Sequence, residues 1–311
     1  MKICVTGANG FVGSALCGWL AASGYSLVRV VRKGAGPGFV AVGDIGASTP
    51  WADAVAGCQV VVHLAARVHV MHETVANPRA LFDAVNIVAT RKLVLAAAHA
   101  GVKRFVFIST VKVNGESTAP GQPFAETDIP APQDAYAQSK YQAEEDLKQL
   151  AAQHGMEWVI IRPPLVYGPG VKANFAVLAK AATKGWPLPL GSIRNQRSLV
   201  ALDNLVDFIA CCIHHPKAAN QTFLISDGHD LSTPELVRQL ALAVGVTVRL
   251  PPIPVALLKV AAAMLGKKDA VERLSENLQV SISKAQTLLQ WVPPATVAQG
   301  MARVVKSREP S

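Results

Sequence analysis

Ile3-Cys4-Val5-Thr6-Gly7-Ala8-Asn9-Gly10-Phe11-Val12-Gly13 decides how this chain folds. A short apolar run at 3–5 ends in a hydroxyl residue and three glycines spaced three apart, and a helical pattern over 11–22 follows at once. That order describes a strand, a tight turn and a helix N-terminus. Gly7 permits the turn, Gly10 lets a ligand approach the backbone, and Gly13 lets the helix pack closely on the strand. The helix start then offers unpaired N–H groups and the positive end of its dipole to a pyrophosphate. The expected ligand is a dinucleotide held by Gly7, Asn9, Gly10, Phe11, Val12 and Gly13.

Working outward, β-branched runs at 27–31, 39–42, 59–64, 105–109 and 158–162 alternate with helical patterns over 78–100, ended by Gly101, and 136–153. Parallel strands need crossover connections, so this alternation predicts an α/β fold with a doubly wound Rossmann sheet covered on both faces. After Arg162 the prolines and glycines at 163, 164, 168, 169 and 170 mark an irregular segment. A strand and helix over 199–214 and a strand at 223–226 follow, and from about 228 the pattern is helical. The expected division is a dinucleotide-binding domain of 1–165 plus 199–227, with a smaller, discontinuous C-terminal substrate domain of 166–198 plus 228–311.

Composition narrows the class. Half of the 311 residues are hydrophobic and 16% are charged, as in a globular chain and unlike a disordered one. The net charge of +9 suits either nucleic acid or small anions such as nucleotide diphosphates. Lys and Arg are spread along the chain and form no zinc finger, basic helix or aromatic RNA motif, so nucleic acid is not the expected partner. The odd set Cys4, Cys17, Cys58, Cys211 and Cys212 has no metal or CxxC spacing, which predicts free buried thiols, a reducing compartment and no metal. The first strand starts almost at Met1, so no leader is expected and the expected location is the cytoplasm. The apolar stretch 253–265 is short and broken by Lys259, which predicts a packed helix and no membrane insertion.

Candidate chemistry lies at the strand ends. A ribose-holding carboxylate is expected where the second strand ends, yet Val31 is followed there by Arg32 and Lys33, and the next carboxylate is Asp44. Two cations suit a 2′-phosphate, so NADP(H) is favoured, with NAD(H) the alternative. Tyr136 and Lys140 stand four apart at a helix start, which puts both on one face. The neighbouring ammonium, together with a nicotinamide's positive charge, is expected to pull the phenol down toward phenolate. Thr110, with Ser109 as its alternate, ends the fifth strand and can hydrogen-bond an oxygen on the reacting carbon.

Thr6 through Gly13 and Tyr136-Ala-Gln-Ser-Lys140 together resemble the extended short-chain dehydrogenases/reductases, and further stretches are similar to the branch that modifies sugar nucleotides. The resemblance implies that Gly43-Asp44-Ile45 contacts adenine and that His63-Leu64-Ala65-Ala66 lies beside the cofactor phosphates and ribose. It implies an inward Asn86, and a turn past the nicotinamide at Arg162-Pro163-Pro164-Leu165-Val166-Tyr167-Gly168-Pro169-Gly170. Asn174 and Arg197 are implied contacts of a nucleotide-sugar diphosphate, Arg273 a contact of the diphosphate or the ribose, and Trp291-Val-Pro-Pro a structural tail motif. A homodimer through the helices near 78–100 and 136–153, with alanine-rich faces, is implied too.

The chain departs from the related 4,6-dehydratases, whose Asp-Glu after the active-site Thr is Val111-Lys112 here. Dehydration is therefore excluded. The expected activity is reduction by NADPH of a UDP-4-keto-6-deoxy-N-acetylhexosamine for surface polysaccharide. The alternatives are a UDP-hexose or UDP-N-acetylhexosamine 4-epimerase with bound NAD, a dinucleotide-sensing protein without turnover, and a membrane-attached interaction protein using 253–265.

Overall fold

The computed structural model describes residues 1–34, 36–68, 78–264 and 268–306. Strand β1 (Lys2–Thr6) pairs on one side with β2 (Ser26–Val31), which carries β3 (Phe39–Ala41), and on the other with β4 (Val60–His63). β5 (Arg104–Ile108) and β6 (Glu157–Arg162) continue the sheet. A separate parallel pair, β7 (Leu165–Tyr167) with β8 (Leu199–Ala201), precedes β9 (Gln221–Leu224), the last strand of the main sheet. All seven strands of that sheet run parallel, in the order β3-β2-β1-β4-β5-β6-β9. The chain winds outward from β1 to β3 and then crosses back to β4. The order therefore reverses between β1 and β4, where ligands of such sheets bind beyond the strand carboxyl ends.

Alternate strand residues enter two different cores, as the two-residue period of a strand requires. Ile3, Val5, Val62, Val106 and Ile161 pack with α1 (Phe11–Ala22), α7 (Leu202–His214), α11 (Ser283–Leu289) and Trp291. Cys4, Val61, Phe105, Phe107 and Ile160 face α2 (Ala52–Val55), α4 (Ala89–His99) and α5 (Ala135–His154). Burial on both faces explains why the strands read as continuous apolar runs. A third core joins β7 and β8 to α6 (Ala173–Thr183), α8 (Thr233–Leu242) and α12 (Val297–Lys306) around Tyr167, Phe175, Val237 and Met301.

Several expectations are corrected. The 78–100 helix is broken into α3 (Pro78–Phe82), a π-helical turn Asp83–Val88 and α4. The wider turn brings Asn86 inward, where its side chain accepts from Arg67 N (2.8 Å) and donates to Arg67 O (3.0 Å) and Ser139 Oγ (2.9 Å). The segment after Arg162 contains β7 and α6, and α2 was not foreseen. The alanines Ala89, Ala97, Ala137, Ala143 and Ala151 of these helices are buried in the chain's own core. Within 253–265, α9 (Val255–Met264) is a helix but a poorly packed one. Leu257, Val260 and Met264 are exposed because Ala262 is its single buried residue. α10 (Lys268–Ser275) packs beside it. Among the described residues no helix is long and apolar enough to cross a membrane, and no His/Cys/Asp/Glu group is arranged to hold a metal. All five cysteines are free; four are buried and Cys211 is half-buried.

Candidate active site

The carboxyl ends of β1, β4 and β5 build one edge of the site. Gly7 adopts φ +68°, and a Cβ there would lie 3.0 Å from Ala65 N. A Cβ on Gly13 would lie 2.1 Å from Gly7 O. The first and third glycines are thus required by close backbone packing. Thr6 Oγ1 accepts from Leu64 N and Ala65 N, both at 3.2 Å, and so clamps the 64–66 loop against the glycine loop. With both acceptor sites used, the Thr6 hydroxyl donates to His63 Nδ1 (2.6 Å). His63 Nε2–H then donates to Thr90 Oγ1 at 3.0 Å. Burial, and secondarily Lys140, lowers the His63 pKa to about 3, so this ring is a neutral strut.

Gly10 caps α1 with no side-chain hydrogen bond, so the N–H groups of the first turn face outward. A groove of about 550 Å³ opens there, lined by Asn9, Gly10, Phe11, Pro169, Lys172 and Leu202 among others. A glycine cradle, an uncapped twelve-residue helix and a groove fit the pyrophosphate of a dinucleotide. Sequence reasoning missed Lys172. It is exposed at the groove, and the cation after the Pro169-Gly170 turn was the available signal. Val12 follows in α1, half-buried. At the outer end, Arg32 and Lys33 are exposed beyond β2, and Arg32 Nη1 stands 3.8 Å from Asp44 Oδ1. Ile45 packs on the core beside them.

The proton-transfer candidates converge at the ends of β5 and the start of α5. Asp134 Oδ1 accepts from Ala137 N (2.6 Å) and starts α5, which places Tyr136 in its first turn and Lys140 one turn on. Lys140 is fully buried, and its Nζ lies 3.8 Å from the centroid of the Phe107 ring. Burial lowers its pKa to about 7, opposed in part by Glu144. Tyr136 departs from expectation, because burial and then the Asp134 carboxylate push its phenol up to about 12. In the protein alone, desolvation outweighs any help from Lys140. Ser109 Oγ is buried without a hydrogen-bond partner among the described residues, a polar atom left for a ligand. Thr110 caps the one-turn 3₁₀ helix Val111–Val113 by accepting from Lys112 N (3.3 Å).

Behind these residues, Arg162 and Glu144 form a buried bidentate ion pair, with contacts of 3.0 Å and 2.5 Å, and Arg162 Nη1 also donates to Asn114 Oδ1 (2.9 Å). Nothing in the chain's spacing singled out Glu144. Pro163 is buried, its carbonyl accepting from Val111 N, and Val166 lies in β7. Tyr167 is buried, with its hydroxyl donating to Asp227 Oδ2 (2.6 Å). Arg197 and Arg273 are brought together, since Arg197 Nη1 donates to the carbonyls of Arg273 (2.8 Å) and Glu276 (3.2 Å). Asn174 belongs to the first turn of α6, and its side chain lies outside the described part.

Residues 3–226 match the model of the NAD dependent epimerase/dehydratase family. A Vibrio cholerae protein named UDP-glucose 4-epimerase is 48% identical over 312 residues, covering 98% of this chain and 95% of its own length. Among solved structures, UDP-glucuronic acid 4-epimerase from Bacillus cereus in complex with NAD superposes with a TM-score of 0.79 at 22% identity, over 99% of this chain and 98% of that one. RMD from Pseudomonas aeruginosa complexed with NADPH does so at 0.75 and 22%, over 98% of each chain. The chain belongs to the NAD dependent epimerase/dehydratase family and is an enzyme of the extended short-chain dehydrogenase/reductase type.

Proposed function

We propose that the protein performs hydride chemistry at C4 of a UDP-linked sugar with a nicotinamide dinucleotide, as a 4-epimerase. The near full-length match to the Vibrio cholerae UDP-glucose 4-epimerase carries this reading. The half comprising 1–165 and 199–227 holds the dinucleotide, and 166–198 with 228–311 holds the sugar nucleotide through Asn174, Arg197 and Arg273. The bound dinucleotide supplies the hydride acceptor and donor. Tyr136 takes the proton of the C4 hydroxyl and later returns it. With a phenol pKa near 12, ionisation needs a nearby positive charge, which Lys140 while protonated and the oxidised nicotinamide ring of a bound dinucleotide would provide. Thr110 and the unpaired Ser109 hydroxyl orient the C4 oxygen.

A second reading, reduction of a UDP-4-keto sugar by NADPH, is favoured by one feature. Arg32 and Lys33 are exposed where β2 ends, and no carboxylate precedes Asp44. A 2′-phosphate would replace Asp44 as the partner of Arg32. Purified protein offered UDP-glucose or UDP-N-acetylglucosamine, with no added nucleotide, should yield the C4 epimer. Turnover that instead demands both NADPH and UDP-4-keto-6-deoxy-N-acetylglucosamine would replace epimerisation with reduction.

A further inference from the structure

We infer that Lys112 is a positioning residue that ties the Thr110 turn to the helix carrying Tyr136 and holds those two groups in one arrangement. The inference rests on the proposed C4 chemistry and adds to it a residue whose own contacts are with Thr110, Glu116 and Asp134. Three bonds carry it. Lys112 N donates to Thr110 Oγ1 at 3.3 Å, so the threonine's rotamer depends on the turn that Lys112 belongs to. Lys112 Nζ donates to Asp134 Oδ2 at 2.6 Å and to Glu116 Oε1 at 2.8 Å. The other Asp134 oxygen caps α5 two residues before Tyr136. One lysine thus spans from the end of β5 to the first turn of α5, where the phenol is.

The same ion pair has an electrostatic side. The charged groups around the phenol are Asp134 and Lys140 on its own helix, and Lys112 with Glu116 from the Thr110 turn. Arg67 is also near, standing 5.9 Å over the Phe82 ring that meets Tyr136. Asp134 raises the phenol's pKa, and Lys112 is the cation bonded to that carboxylate. Burial works against the Lys112 charge, but its bonds to Asp134 and Glu116 prevail and raise its pKa, so it stays an ammonium across the working range. Losing Lys112 leaves Asp134 uncompensated and makes Tyr136 harder to ionise. Losing the Asp134 charge makes it easier.

The test uses the full chain in three variants. Lys112→Met removes the ammonium and keeps the stem, Asp134→Asn keeps a capping side chain without its charge, and Lys112→Arg keeps the ion pair. With a UDP-sugar as substrate, Lys112→Met should lower kcat about tenfold, leave KM within about twofold, and move the phenol-governed limb of kcat up by about half a pH unit. Asp134→Asn should move that limb down, and Lys112→Arg should restore the wild-type profile. A turn that was merely loosened would shift both charge variants the same way. Limbs that do not move, or that move together, overturn the inference. Absence of turnover on any UDP-sugar would count against the proposed function alone. The inference is then read from tyrosinate absorbance, each protein being compared with its Tyr136→Phe counterpart. Ionisation of Asp134→Asn at lower pH than wild type supports the inference, and unchanged titration overturns it.

Discussion

Lys140 is buried as a charge against an aromatic ring, so Lys140→Met separates the stability of this site from its chemistry. Burial brings its pKa from an ordinary 10.5 to about 7. Below pH 7 the folded and unfolded chains both hold the proton, and the folded chain bears the full cost of a desolvated ammonium. Between about 7 and 10.5 the folded chain has released the proton while the unfolded chain keeps it. The wild type therefore gains stability, relative to a variant without the amine, as pH rises through that window. At roughly 1.4 kcal/mol per unit, the shift bounds the cost near 5 kcal/mol at pH 6.5. Losing the ammonium's contact with the Phe107 ring takes back about 1–2 kcal/mol. The methionine should come out about 3 kcal/mol more stable at pH 6.5, or roughly 5 °C in Tm, with the gap nearly closed at pH 10. Urea unfolding of nucleotide-stripped protein at the two pH values measures it, alongside loss of turnover. A methionine variant less stable at pH 6.5, or a gap indifferent to pH, would refute the claim that Lys140 is held at a cost for its chemistry.

Gly13→Ala drives a Cβ to within 2.1 Å of Gly7 O, a backbone atom, and should lower dinucleotide affinity at least about a hundredfold by titration calorimetry. Gly18→Ala in the same helix, where a Cβ meets nothing within 4 Å, should leave that affinity unchanged. Glu144→Gln strands the Arg162 guanidinium in the core without its countercharge and should cost about 3–5 kcal/mol in urea unfolding. The double variant Arg32→Ala/Lys33→Ala should weaken NADPH about tenfold and spare NADH if the reductase reading holds, and alter neither under the epimerase reading. Tyr136→Phe should reduce turnover by about 10²–10⁴-fold with dinucleotide binding retained, as stopped-flow and equilibrium titration would report.

The sheet was legible because its signals are local and periodic. A strand buried on both faces reads as an apolar run, and a glycine triplet after the first such run marks the turn at the sheet's centre. The helix 136–153 was found within a residue at each end, since an Asp cap and a terminal glycine frame it. The π turn was not legible, because it exists to aim Asn86 at Arg67 and Ser139, partners 19 and 53 residues away. Glu144 escaped notice for the same reason, its partner being 18 residues on in strand β6. The upward shift of Tyr136 in the protein alone was not legible because spacing gives neighbours but not desolvation. Lys140 and Asp134 are both visible in the chain, whereas the burial that dominates the phenol's energetics arises from packing. Residues 163–198 hid a strand and a helix because β7 and β8 are three-residue strands that pair across more than thirty positions.

Under the proposed chemistry the reaction has to stop at C4, and the two positions after Thr110 say why. Elimination of water from the neighbouring carbons needs an acid and a base close to the threonine, both able to exchange protons near neutral pH. Val111 is buried among Leu224, Leu278 and Val280 and has no proton to give. Lys112 is held by two carboxylates that raise its pKa, so its proton is retained. Tyr136 remains to move a proton, and it serves the C4 oxygen equally well in either direction. Thr110, Tyr136 and Lys140 therefore do not choose between epimerising a sugar and reducing one. That choice falls to how long a dinucleotide would be held at the groove lined by Gly10 and Lys172: one retained through the cycle would allow epimerisation, and one exchanged between turnovers would allow net reduction.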